Sequence, residues 1–253
     1  MRLLLIFAAL FSVHVSAHEI QSITQHVDIK KQKETGWQQD VLATFNLSKK
    51  VTAGAQATYL ERFSFYEKRA GLSLGYRPDE KWNLQFRYLQ GMGNVILPEK
   101  QGIFSAYYSL ASGLTPFVYL RDTRYSLTHL NTAQVGLEIE KIKHIILVPS
   151  VMFGKATFNS PSKTDDVQNF GLRAIYYIDQ LFSLAVFGFK GREASQGIIG
   201  QSTVLVDTTS AGISGMTYFM QNKLRAELTI DHTDYDQLHN QFLTTTLNLT
   251  WMF

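Results

Sequence analysis

Apolar and polar residues alternate with a period of two along almost the whole chain, and this pattern most narrows what the sequence can fold into. Val41, Ala43, Phe45 and Leu47 alternate with Leu42, Thr44, Asn46 and Ser48. After only Lys49-Lys50, a second run follows in which Val51, Ala53, Ala55, Ala57 and Tyr59 alternate with Thr52, Gly54, Gln56 and Thr58. Such a run puts one set of side chains on each face of a strand, and two runs joined by two residues make a hairpin. Similar runs lie at 19–30, 68–77, 81–91, 102–111, 114–123, 130–141, 144–155, 167–178, 181–191, 207–220, 223–233 and 240–253. The expectation is about 14 antiparallel strands (12 to 14), an even number as in single-chain bacterial barrels.

The connections sharpen this reading. Lys49-Lys50, Arg77 to Lys81, Ala111 to Gly113, Ile142-Lys143, Asp179-Gln180 and Gln221-Asn222 are short, and they alternate with the longer segments 31–36, 62–67, 92–101, 124–129, 156–166, 192–206 and 234–239. A transmembrane up-and-down β-barrel with both termini in the periplasm has short turns on that side and longer loops outside. A soluble sandwich has no reason to alternate in this way. The loop 92–101, with Gly93 and Pro98, is expected on the surface, a lumenal constriction being the alternative.

Residues 1–17 carry Arg2, the apolar run Leu3 to Leu10 extended by Phe11, and the small-x-small ending Val15-Ser16-Ala17, which together predict a cleaved signal peptide and a barrel domain over 18–253. Downstream no stretch reaches the length of a membrane-spanning helix, and the richest, Ile142 to Phe153, is interrupted by Lys143, His144 and Pro149. The chain has no Cys, which removes thiolate metal sites and cysteine nucleophiles and suits passage through an oxidising compartment. A formal net charge of +3 without a basic stripe gives no reason to expect nucleic acid as a partner.

If the apolar face of each strand meets lipid, the polar face lines the interior. Parity then assigns to the lumen Asp28, Asp40, Gln85, Arg87, Arg121, Glu138, Arg173, Arg225, Glu227 and Asp231, with His26, Gln56 and Gln134 beside them. Two uses of this set stand open: mutual pairing that fills the interior, or a lining that sets the solute preference of a pore. Trp37, Tyr59, Tyr76, Trp82, Tyr88 and Trp251 fall toward strand ends on the apolar face, as aromatic girdles do. His232 near Asp234, and Ser126 with His129, are weak candidates for lipid hydrolysis, because spacing assembles no nucleophile, base and orienting group around them. No catalytic residue, metal site or cofactor is assigned.

The last strand puts Leu243, Thr245, Leu247, Leu249, Trp251 and Phe253 on one face and ends on the phenylalanine. It resembles the terminal aromatic signature of outer-membrane barrels. That resemblance implies that Leu247, Leu249, Trp251 and Phe253 serve as the membrane-assembly signal read by the barrel-assembly machinery. Gly75-Tyr76-Arg77 at a strand end, Leu97-Pro98 in the next long loop and Gly191-Arg192-Glu193 opening another further resemble the YaiO-type outer-membrane barrel family. This implies a Gram-negative outer membrane, lipids as surroundings and no enzymatic residues. A link to polysaccharide export is weakened because the chain lacks the N-terminal repeat region of larger similar barrels. The expected function is a monomeric channel for small or extended polar solutes. The alternatives are a surface-interaction barrel without an open pore and a lipid-modifying hydrolase.

Overall fold

The computed structural model describes residues 18–30, 34–62, 64–92, 96–159, 162–196, 203–236 and 240–253, so the expected signal peptide lies outside the described residues. The strands are β1 (Glu19–Ile29), β2 (Glu34–Asn46), β3 (Val51–Arg62), β4 (Phe65–Tyr76), β5 (Trp82–Gly91), β6 (Lys100–Tyr108) and β7 (Leu114–Arg124). They continue as β8 (Thr128–Ile142), β9 (Ile145–Asn159), β10 (Ser162–Tyr177), β11 (Phe182–Gln196), β12 (Thr203–Phe219), β13 (Leu224–Tyr235) and β14 (Asn240–Met252). Each pairs antiparallel with its chain neighbours, and β1 pairs with β14 to close a barrel of 14 strands. Closure leaves no strand edge with unpaired backbone groups, which is the condition for crossing hydrocarbon.

The turns at the end holding the termini are tight because side chains take up their free backbone donors. Asp79 Oδ1 accepts the N–H of Lys81 and Trp82 at 2.9 and 3.0 Å, and Asp179 Oδ1 accepts those of Leu181 and Phe182 at 2.7 and 2.8 Å. Met220, Gln221 and Asn222 complete another turn in the left-handed region, with φ of 52°, 56° and 70°.

At the opposite end the loops 156–166 and 192–206 expected from sequence are mostly strand: β9 runs to Asn159 and β10 begins at Ser162, while β11 reaches Gln196 and β12 begins at Thr203. The lipid-facing alternation fades there because the outer face turns polar above the lipid, as at Lys155, Asp166, Lys190 and Asp207, while Ala156, Val167 and Val206 turn inward and backbone pairing continues. The wall is therefore uneven. β10 and β12 have 16 and 17 residues, whereas β5 and β6 have 10 and 9, close to the roughly 9–11 that a membrane strand needs.

Leu72, Leu74, Phe86, Phe153, Phe170, Leu172, Val186 and Leu228 form an exposed apolar outer belt. Tyr76, Trp82 and Trp251 ring it near the termini, where the Trp82 and Tyr108 rings stand 4.7 Å apart; Trp37, Tyr59 and Tyr88 lie toward the other rim, with Trp37 and Tyr59 5.1 Å apart. Leu247, Leu249 and Trp251 share this outer face, and the Phe253 N–H donates to the His18 carbonyl at 3.1 Å across the closing seam.

On the inner face, large rings lie over glycines. A Cβ built on Gly136 would stand 2.2 Å from the Phe117 ring, one on Gly171 2.5 Å from Phe189, and one on Gly212 2.3 Å from Phe187. The rings fold against the wall instead of projecting into the lumen. Gly136→Ala is expected to lower stability by about 1–3 kcal/mol, the range for overpacking, because the Pro149 carbonyl at 2.8 Å also blocks relief; urea unfolding from lipid bilayers measures it.

Candidate functional site: the barrel lumen

Register decides which residues face inward. Asp40, Gln85, Arg87, Arg121, Glu138, Arg173, Arg225, Glu227 and Asp231 all stand on the inner face, as do Gln56 and Gln134. Asp28 and His26 do not. β1 pairs Asp28 with Leu243 and His26 with Thr245, on the same face as Leu247 and Trp251, so both side chains point outward, 3.9 Å apart. Polarity misleads on β1 because Ser22, Thr24, His26 and Asp28 make its outer face the more polar one. Near the outer rim Val27 and Ile29 turn inward instead.

At the end nearer the termini the lumen holds, mainly beside β1–β7, a cavity of about 600 Å³. Its charged walls are Lys49, Lys50, Arg77, Arg87 and Arg225 against one acid, Glu19. Of the inward arginines, Arg225 Nη2 donates to Thr250 Oγ1 at 3.0 Å and Arg173 Nη2 meets Glu227 Oε1 at 3.5 Å. The Nε atoms of both arginines are buried and make no hydrogen bond to a described residue. Aromatic residues form a polar-tipped shelf, with Tyr107 Oη donating to Tyr119 Oη at 3.2 Å.

Toward the outer end the character of the lumen changes. The buried, inward carboxylate of Asp40 accepts from Gln38 Nε2 at 2.6 Å, Gln56 Nε2 at 3.0 Å and the Thr58 hydroxyl, with Arg69 Nη2 at 3.9 Å; Arg69 Nε donates to Thr58 Oγ1 at 3.1 Å. This network binds β2, β3 and β4 into one unit. Above it the inward side chains of Val27, Ile29, Leu60, Leu89, Val167 and Val206 are buried, Ile29 being 1% exposed.

The segment 96–99, in the connection between β5 and β6, turns into the barrel, with Leu97 and Pro98 buried, rather than lying on the surface as expected. Glu67, 5% exposed, holds it: its Oε1 accepts the Ile96 N–H at 2.7 Å and its Oε2 the Leu97 N–H at 2.6 Å. Hydrogen bonds from backbone N–H to a carboxylate are stronger than neutral ones. Two backbone bonds, Gly91 N–H to Glu99 O at 2.7 Å and Glu99 N–H to Arg124 O at 2.8 Å, pin the base of the segment.

Sequence reasoning missed Arg62, Glu67 and Arg69. Parity within 68–77 already places Arg69 on the polar face, but Glu67 and Arg62 fell in an expected loop, and strand pairing to Arg62↔Phe65 brings them inside. Arg62 then stacks its guanidinium over the Phe242 ring, 5.0 Å from the centroid. The two weak hydrolase candidates sit on the outer surface. His129 Nε2 is 2.6 Å from Asp122 Oδ2 and His232 Nε2 is 3.3 Å from Asp234 Oδ2. Neither histidine bonds a serine or threonine hydroxyl among the described residues.

No family model and no curated protein matches this chain. Solved structures do. They include the CymD monoaromatic hydrocarbon channel, with a TM-score of 0.61 at 9% identity over 93% of this chain and 87% of that one. A Pseudomonas aeruginosa FadL homologue gives 0.62 at 8% identity over 94% and 91%, and a bacterial polysaccharide outer membrane secretin gives 0.58 at 14% over 96% and 100%. Likeness at this level of identity is likeness of fold: the chain is a closed antiparallel barrel of the outer-membrane kind.

Glu67→Ala leaves the Ile96 and Leu97 amides without their acceptor, at about 1–3 kcal/mol for each buried donor left unpaired. Amide hydrogen exchange at those two positions is expected to speed at least about tenfold while amides in β9 and β10 stay protected.

Proposed function

We propose that this protein is an outer-membrane passage for polar, preferentially anionic solutes, loaded from the periplasmic end and closed at the outer end by residues 96–99. The observation that carries the reading is the contrast between the two halves of one lumen. The inner half is an open, strongly basic cavity continuing into Arg173, Arg121 and their acidic neighbours Glu227 and Glu138. On this reading the outer half is stoppered by the segment 96–99, held to the wall by two hydrogen bonds to Glu67 and by backbone bonds at its base.

A barrel that served only as a scaffold would gain by filling its interior, since empty lined volume forfeits contacts. Here the glycines beneath Phe117, Phe187 and Phe189 keep bulk out of the centre. The cavity volume falls within the roughly 300–1,000 Å³ of small-molecule sites. Five cations facing one acid between low-dielectric walls concentrate anions, as charged rings do in selective pores. An extended acidic saccharide meets these requirements as well as a small anion does. The folds shared with a hydrocarbon channel and a polysaccharide secretin, each named for carrying something across a membrane, agree with a passage.

A second reading, a barrel whose work is surface contact, is favoured by the tall wall of β9 to β12, where Arg192 Nε and Asp207 Oδ1 pair at 3.1 Å above the apolar belt.

Planar-bilayer recording under a salt gradient separates the two readings. The native protein is expected to give infrequent steps with a reversal potential on the anion side. Arg87→Ala with Arg225→Ala should lower anion over cation permeability by about threefold or more, from removal of two lining charges. Glu67→Ala should raise the open fraction without changing that ratio. Silence from both the native protein and Glu67→Ala, with the strand signal intact, would reject the passage in favour of the surface-contact reading.

A further inference from the structure

The outer face of β5 to β9 is ordered into rows by the register. Phe86, Phe104, Leu120, Ala133 and Phe153 form an apolar row, and directly above it stand Tyr88, Gly102, Asp122, Asn131 and Lys155. One row higher are Gln90, Lys100, Arg124, His129 and Thr157. Gly102 and Ala133 are the small members of rows otherwise built of large side chains. A Cβ on Gly102 would meet nothing within 4 Å. The result is a groove of about 590 Å³ in the lipid-facing wall, floored by the apolar row and rimmed by Asp122, Asn131, Lys155 and Thr157.

The charges over this groove are unlike those elsewhere on the rim. Asp122 is shared between His129 at 2.6 Å and Arg124 at 3.9 Å, and among the described residues neither Lys100 nor Lys155 belongs to an ion pair, although Asp166 lies opposite Lys155 in the register. Elsewhere Arg192 is matched by Asp207, His232 by Asp234 and His26 by Asp28. The smaller groove around Lys190 carries Asp166, Asp207 and Asp236 against Lys190 and Arg192, so it is acid-rich. A cleft that opens into hydrocarbon below and bears Lys100, Arg124, Lys155 and His129 above matches a molecule with an acyl chain and a phosphate at their junction.

We propose that this groove is a specific site for a phosphorylated, acylated lipid of the outer leaflet, with one chain lying over Gly102 and Ala133 and its phosphate held by Lys100, Arg124 and Lys155. The site is on the opposite side of the wall from the lumen and does not depend on the passage. Its occupant is a lipid rather than a protein because the floor row sits within the outer apolar belt, level with Phe86 and Phe153.

Native mass spectrometry of the refolded full barrel in detergent, titrated with diphosphoryl lipid A, phosphatidylethanolamine or inorganic phosphate, tests this. A one-to-one adduct is expected with diphosphoryl lipid A. It should weaken about tenfold in the double variant Lys100→Ser, Lys155→Ser and to a similar degree in Gly102→Leu, which fills the groove without meeting a neighbour. Lys190→Ser should leave it unchanged, and millimolar phosphate should not displace it. Strand signal and heat-dependent gel mobility establish that each variant is folded. Equal binding of phosphatidylethanolamine, full displacement by phosphate, an unchanged adduct in both groove variants or an equal loss in Lys190→Ser would each overturn the proposal.

Discussion

Lipid offers no partner for a backbone N–H or C=O, and the rest of this structure follows from meeting that demand with strands alone. Each strand pairs on both sides, and the last returns to the first through Glu19↔Met252 to Ile29↔Phe242. An unpaired backbone group in hydrocarbon is several kcal/mol out of balance, more than any single side-chain contact here supplies. Closure is therefore the fixed term, and side chains decide only what the two faces of the closed wall do. Period-two geometry then forces a division of labour. Leu172 and Arg173, one residue apart, serve opposite surroundings.

Within the wall the inner face is itself divided by height. Basic side chains dominate near the termini, an Asp40-centred network lies between, and aliphatic packing dominates near the outer rim. The network matters because a buried carboxylate with four polar neighbours ties three strands into one rigid panel. Glu67 stands on that same panel, two residues from Arg69, so the acceptor that holds the inward segment is rigidly placed. A carboxylate on a mobile loop would have to lose its own freedom before it could hold anything else.

Most of the wall was legible in the sequence, because lipid imposes a strong and repetitive pattern on strands that cross it. Strand number, the order of short and long connections and the inner placement of Arg87, Arg173, Arg225 and Glu227 all follow from alternation. What could not be read lay where that pattern is weakest. β1 has no clear apolar face, so Asp28 and His26 were assigned inward when the register turns them out. β9 to β12 rise above the belt, where the outer face is polar and apolar side chains such as Val167 and Val206 turn inward, so the lipid-facing pattern no longer marks the strand. The inward turn of Leu97-Pro98 depends on Glu67, 30 residues away, a partnership that no local pattern encodes. The groove over Gly102 likewise depends on residues from five strands meeting in register.

The shortest strands, β5 and β6, flank the connection whose residues 96–99 turn inward, so that these residues lie inside the wall instead of raising it. The stopper therefore belongs to one hairpin and is fastened mainly by Glu67 and the Gly91–Glu99–Arg124 backbone links at its base. Release of the two Glu67 bonds alone breaks no ladder between β5 and β6 and leaves the cylinder's circumference untouched. Opening on the proposed plan would be a lid movement, microseconds to seconds, while the barrel keeps the slow unfolding of a sealed sheet. On the proposed passage, permeability and durability would be set by different residues, and either could drift in evolution without dragging the other along.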